Sequence, residues 1–216
     1  MRHHTLALPA LLTTAALATG CANYATLADP DTVPKGSTKV GIGASFTNYK
    51  VDFDTEDNDP ADTVSVPALN VSVRHGFTDK LEGNVKVWIP LGSSAGAKYQ
   101  LVGHRDEVGP QLSVGADLGY MTIETDVNGE KSKATLVDLY LPVSVGYRLS
   151  PGMSVYASPK YILRSAFGDA SGMSHLAGST VGLSLGSKTK FMVEATGMYD
   201  LTDGTPIYNG ALGVQF

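Results

Sequence analysis

The chain closes on Pro206-Ile-Tyr-Asn-Gly-Ala-Leu-Gly-Val-Gln-Phe216. In an extended chain, successive side chains point to opposite faces. Tyr208, Leu212, Val214 and Phe216 therefore share one face with Gly210. Asn209 and Gln215 share the other with the small Ala211 and Gly213. The stretch reads as a strand, apolar on one side and ending on an aromatic residue.

The same period runs back through most of the chain. Nine further extended segments are expected, at 38–53, 63–77, 81–91, 97–104, 109–125, 134–149, 153–167, 174–186 and 190–201. The clearest, 134–149, sets Val137, Leu139, Leu141, Val143, Val145, Tyr147 and Leu149 against Asp138, Tyr140, Ser144 and Arg148. Many of these segments exceed the five or six residues of an average globular strand. They suit the roughly nine to eleven residues that a tilted strand needs to cross a bilayer. The connections alternate between tight turns (76–80, 105–107, 150–152, 187–189) and stretches expected as mostly longer loops (54–62, 92–96, 126–133, 168–173, 202–205). An all-β, closed, antiparallel up-and-down transmembrane barrel of ten strands follows, with both chain ends on the tight-turn side. Merging the third and fourth segments would give eight strands instead.

Residues 1–20 have the layout of a secretory signal peptide, with Arg2, an apolar stretch from about Leu6 to Leu17, then small residues. The run Leu17-Ala18-Thr19-Gly20-Cys21 resembles a bacterial lipobox, with Ala18 where Leu is commonest. That resemblance implies acylation of Cys21, which is also the only cysteine, so no internal disulfide can form. Several acyl chains together would anchor the chain stably. Ala22 after Cys21 is compatible with sorting to the outer membrane. Residues 22–37 lack sustained alternation and read as a linker from the anchor to the first strand, so the barrel domain is 38–216.

Alternation alone does not say which face meets lipid, because a soluble ligand-binding barrel has the same period. The membrane reading is preferred because the apolar faces end in aromatics, among them Phe46, Phe77, Tyr120, Tyr147, Phe191 and Tyr199. The polar faces carry Arg74, Lys86, Arg148, Lys160 and Arg164 with Glu82, Asp117, Asp138 and Glu194. Turned inward, these could form a hydrogen-bonded ion-pair network in a narrow lumen, since buried charges need partners.

After about Thr38 the chain resembles the small outer-membrane β-barrel proteins of Gram-negative bacteria. The resemblance rests on Gly76-Phe77-Thr78-Asp79-Lys80-Leu81 leading into an alternating strand, and on the terminal Phe216. It implies that Phe216, with Val214, Leu212 and Tyr208, belongs to the signal read by the barrel assembly machinery. It further implies contact with outer-membrane lipid and lipopolysaccharide, with a lipid-anchored N-terminus on the periplasmic side. Most such barrels are not acylated, so the lipobox is a departure.

Candidate chemistry is thin. Asp54, Glu56, Asp57 and Asp59 cluster in the first long loop and could attract a hard cation, but they lack the Gly and Glu positions of an EF-hand loop. His75, His104 and His175 lie on separate segments, and only His175 has Ser171, Ser174 and Asp169 nearby. No required catalytic spacing is met, no cofactor motif occurs, and an enzyme is not expected. The net charge of -5 argues against a nucleic-acid partner. The expected function is a non-enzymatic barrel with a narrow or filled polar lumen, in envelope integrity or surface interaction. Three alternatives stand beside it: a passive channel for a small or hydrophobic solute, a lipid-tethered soluble periplasmic binding barrel, and an outer-membrane lipid hydrolase or acyltransferase.

Overall fold

A computed structural model of the protein describes residues 24–51, 62–89, 92–104, 107–127, 130–168 and 171–216, with the backbone alone at 49–51, 62–64, 123–127 and 130–132. Ten strands run in sequence: β1 Thr38–Val51, β2 Asp62–Gly76, β3 Leu81–Ile89, β4 Gly92–Val102, β5 Gly109–Val127, β6 Glu130–Ser150, β7 Met153–Gly168, β8 Gly172–Leu185, β9 Lys190–Asp200 and β10 Pro206–Gln215. Each pairs antiparallel with the next, and β1 pairs with β10, so the sheet closes into a barrel. Closure leaves no unpaired strand edge.

The seam joins Ile42 to Val214 and Ala44 to Leu212, and Val40 and Phe216 exchange two backbone hydrogen bonds of 2.9 Å. The barrel therefore has a turn end, where β1 begins and β10 stops, and a far end. The connections that follow β2, β4, β6 and β8 lie at the turn end, among the described residues at 77–80, 103–104, 107–108, 151–152 and 186–189.

Two of the expected loops are strand instead. The stretch 92–96 belongs to β4, and most of 126–133 belongs to the β5–β6 hairpin. The small run Ser93-Ser94-Ala95-Gly96-Ala97 resembles a loop in composition, and at Gly96 a neighbour requires it: a Cβ there would strike the side chain of Asp117. The polar 126–133 region is extended because β5 and β6, at 19 and 21 residues, outreach the other strands at the far end. The acidic residues 54–59, the pair Asn128-Gly129, Asp169 and Cys21 lie outside the described residues.

The outer surface is apolar. Leu118, Leu212, Val181, Val193, Ile89, Leu69 and Ile42 are all exposed. Exposed aromatics bracket this belt: Phe77, Tyr99, Tyr147, Phe191 and Phe216 toward the turn end, and Phe46, Tyr120, Phe167, Tyr199 and Tyr208 toward the far end. Phe191 and Tyr199 stand eight residues apart on β9. At about 3.4 Å per residue and a tilt of roughly 40°, the two rings are about 20 Å apart in height.

Candidate functional site

The lumen is occupied by the protein's own N-terminal segment. Tyr24, Ala25, Leu27, Asp29, Pro30, Asp31, Thr32 and Val33 are buried, although this region is free of regular secondary structure. The expected linker is thus an internal thread. Its polar backbone, which has no ladder of its own, is satisfied by the barrel wall, as any buried backbone must be.

The thread starts near the far end and descends. Tyr24 packs in an apolar cluster with Met121, Leu136, Ile162, Leu176, Met198 and Ile207. Lys160 Nζ donates to the Tyr24 carbonyl at 2.7 Å, and Lys86 Nζ donates to the carbonyls of Ala25 and Thr26 at 2.8 and 3.0 Å. The Thr26 amide donates to Glu194 at 2.8 Å, and Glu194 also accepts from the Tyr156 hydroxyl at 2.6 Å. Leu27 then meets the inner side of the seam, where Gly43 and Gly213 leave room that a Cβ at either position would fill. Leu27 holds a positive φ of 44°. Such a conformation costs of order 1–3 kcal/mol and persists only when its surroundings enforce it.

Two aspartates follow at the level of the cations. Asp29 is ion-paired with Lys190 and lies 3.8 Å from Arg74. Asp31 is ion-paired with Arg148, lies 3.5 Å from Lys190, and accepts a hydrogen bond from Gln111. Lys98 donates to the carbonyls of Asp29 and Asp31 at 2.8 and 2.7 Å, and Arg74 donates to the latter at 2.7 Å. Thr32 bonds to Gln100 and to the Asp79 carbonyl, and the Val33 amide donates to Glu82 at 2.7 Å. The chain reverses at Gly36, whose φ of 73° favours glycine, and climbs again as β1. Gly76 makes room for this reversal, because a Cβ there would collide with the carbonyls of Val33 and Pro34.

The nine charged residues singled out from the sequence line the lumen without joining into one network. Arg74 pairs with Glu82 through bonds of 2.8 and 2.9 Å, with Lys98 at 3.2 Å from the same carboxylate. Arg164 pairs with Asp138 through bonds of 2.9 and 2.8 Å, and Tyr140 donates to Asp138 at 3.0 Å. Asp117 accepts from Asn84 at 2.8 Å. Arg148, Lys86, Lys160 and Glu194 bind the thread. Lys98, Gln100, Gln111 and Lys190 belong with them. Period alone put Gln111 and Lys190 on inward faces, but nothing in the sequence named their partner.

Little space remains around the thread. Two internal cavities beside it measure about 60 and 70 Å³; the first touches Tyr24 and the buried Trp88. Each holds about two waters, at roughly 30 Å³ per water. A wider cavity of about 520 Å³ opens at the turn end, beside Asp29, Asp31, Arg148 and Lys190.

The histidines stay apart. His75 hydrogen-bonds Thr38 at 2.9 Å and meets Phe77 edge-on. His175 hydrogen-bonds Tyr161 rather than Ser171 or Ser174. Among the described residues, no three His, Cys, Asp or Glu side chains are grouped to hold a metal ion.

No family model matches the chain, and no curated protein matches it. Solved structures resemble it in outline. Neisserial surface protein A is 12% identical, with 82% of this chain and 95% of that chain covered and a TM-score of 0.43. The N-terminal β-barrel domain of Pseudomonas aeruginosa OprF is 15% identical, with 84% and 100% covered and a TM-score of 0.40. Ail, the attachment invasion locus protein of Yersinia pestis, solved with the heparin analogue sucrose octasulfate, is 13% identical, with 84% and 99% covered and a TM-score of 0.42.

Proposed function

We propose that this chain is a non-enzymatic outer-membrane β-barrel lipoprotein whose lumen is plugged by its own residues 24–34, serving envelope integrity or surface interaction. The thread carries the reading. It satisfies wall charges that would otherwise need water, and above the turn-end mouth it leaves internal cavities of about 60 and 70 Å³ beside it. The apolar belt and its two aromatic girdles support a bilayer setting, because a soluble barrel would not expose Leu118 and Leu212 to water at about 60%. On this reading the turn end faces the periplasm and the far end, where the 19- and 21-residue β5 and β6 outreach the other strands, faces the exterior. Contact with lipopolysaccharide, assembly through the Phe216 strand and acylation of Cys21 belong to the same proposal.

Planar-bilayer recording tests the plug. The intact chain is expected to hold the membrane closed. Deletion of 24–34 is expected to open an anion-preferring conductance, because Arg74, Arg148, Lys98 and Lys190 lose the two aspartates. The double variant Asp29→Arg/Asp31→Arg, which expels the thread without shortening the chain, should behave alike. Equal conductance in all three would support a passive channel instead.

A further inference from the structure

We propose that the N-terminal end of the mature chain reaches the outside of the membrane through the barrel's own lumen. The inference rests on the outer-membrane reading above and on the direction of the thread.

That direction follows from which wall residues each thread residue meets. Val33 bonds to Glu82, the second residue of β3, and Thr32 bonds to the carbonyl of Asp79 in the β2–β3 turn. Asp29 pairs with Lys190, the first residue of β9. All three contacts are at the turn end. Thr26 meets Glu194 and Thr180, near mid-height. Tyr24 shares an apolar cluster with residues in the far halves of β5 to β10, among them Met198, two residues before β9 ends, and Ile207, one residue after β10 begins. Tyr24 therefore lies just inside the far rim.

The lumen chemistry fits this direction alone. In the far half of the lumen an apolar cluster receives the ring of Tyr24, and the one arginine there, Arg164, is already paired with Asp138. The turn-end half is cationic and receives Asp29 and Asp31. A reversed thread would move two carboxylates away from Arg148 and Lys190 to a level where Arg164 is already paired with Asp138, at the cost of unpaired buried charge.

A chain spans at most about 3.6 Å per residue, so Cys21 lies within roughly 11 Å of Tyr24. The nearest exit is the far rim, which the proposed orientation places at the cell surface. Acyl chains on Cys21 would then sit in the outer leaflet, among lipopolysaccharide, where the sequence alone implied a periplasmic anchor. The thread would be a covalent line from that leaflet to the periplasmic end of the barrel.

Labelling with a membrane-impermeant maleimide tests this in intact cells, using full-length chains carrying one added cysteine each. Asp203→Cys marks the far-end connection, Ser187→Cys marks the turn end, and Asn23→Cys reports the thread's leading end. The unsubstituted chain sets the background from Cys21. We expect Asn23→Cys to label in intact cells to within about twofold of Asp203→Cys, with no gain on permeabilisation. Labelling of Asn23→Cys only after permeabilisation, as for Ser187→Cys, would overturn the proposal. Failure of Asp203→Cys itself to label in intact cells would overturn the outer-membrane reading instead, so the two failures differ. Threading is checked separately: Thr26 and Thr180 hydroxyls lie 3.5 Å apart, so a Thr26→Cys/Thr180→Cys chain should form an internal disulfide. An assembled double variant that stays reduced under oxidant would also overturn the proposal.

Discussion

Single residues inside the barrel act as matched pairs. Arg164 and Asp138 are both nearly inaccessible, joined by two hydrogen bonds. Asp138→Ala leaves the buried Arg164 guanidinium without its carboxylate, beside Tyr24 and Tyr140. Breaking a buried pair in this way costs about 3–5 kcal/mol. We expect that loss in urea unfolding followed by Trp88 fluorescence, since Trp88 is the only tryptophan and is buried. The double variant Asp138→Ala/Arg164→Met should recover most of it, because an apolar side chain of similar length replaces the orphaned charge. At the seam, Gly213→Val is expected to cost about 1–3 kcal/mol, the usual range for overpacking. Its Cβ would press on the Leu27 side chain. In a chain that also carries Leu27→Ala, the same substitution should cost less, measured by the same unfolding curves.

At the scale of elements, the strands were legible and the thread was not. Period two located β1 through β10 to within a few residues except at β4 and the β5–β6 hairpin, where Gly96 and the polar 126–133 mimic loop composition. The apolar cluster around Tyr24 has a signal in the sequence. Met121 follows Tyr120, Leu136 precedes Val137, Ile162 follows Tyr161, Leu176 precedes Ala177, and Met198 precedes Tyr199. These neighbouring apolar residues break the alternation because both faces are apolar there. The thread itself has no such signature. Residues 24–34 read as a linker because burial in a lumen imposes no period on the side chains, only partners for the backbone. The hint that existed was indirect. Asp29 and Asp31 face Arg74, Lys98, Arg148 and Lys190 only after the fold brings these together.

For the whole molecule, the apolar exterior makes a prediction that separates lipid from water. Leu118 sits midway along β5, pairs with Leu139, and is 62% exposed. Leu118→Arg should cost about 2–4 kcal/mol in a bilayer, where a charge at mid-depth is expensive. In a soluble barrel the same change would be close to neutral. Unfolding titrations in lipid vesicles, scored by the heat-modifiable shift on gels, distinguish the two. The contact of Leu27 with Gly43 and Gly213 carries a consequence for biogenesis. Those glycines lie on β1 and β10, the first and last strands, which meet only when the sheet shuts. A finished barrel with so little free space offers no passage for a chain carrying buried ion pairs along its length. The segment must therefore be laid in place while the wall is still open, and the final pairing of β10 with β1 fastens around it like a clasp. The first residues made would thus have to wait for the last before either could reach its resting position.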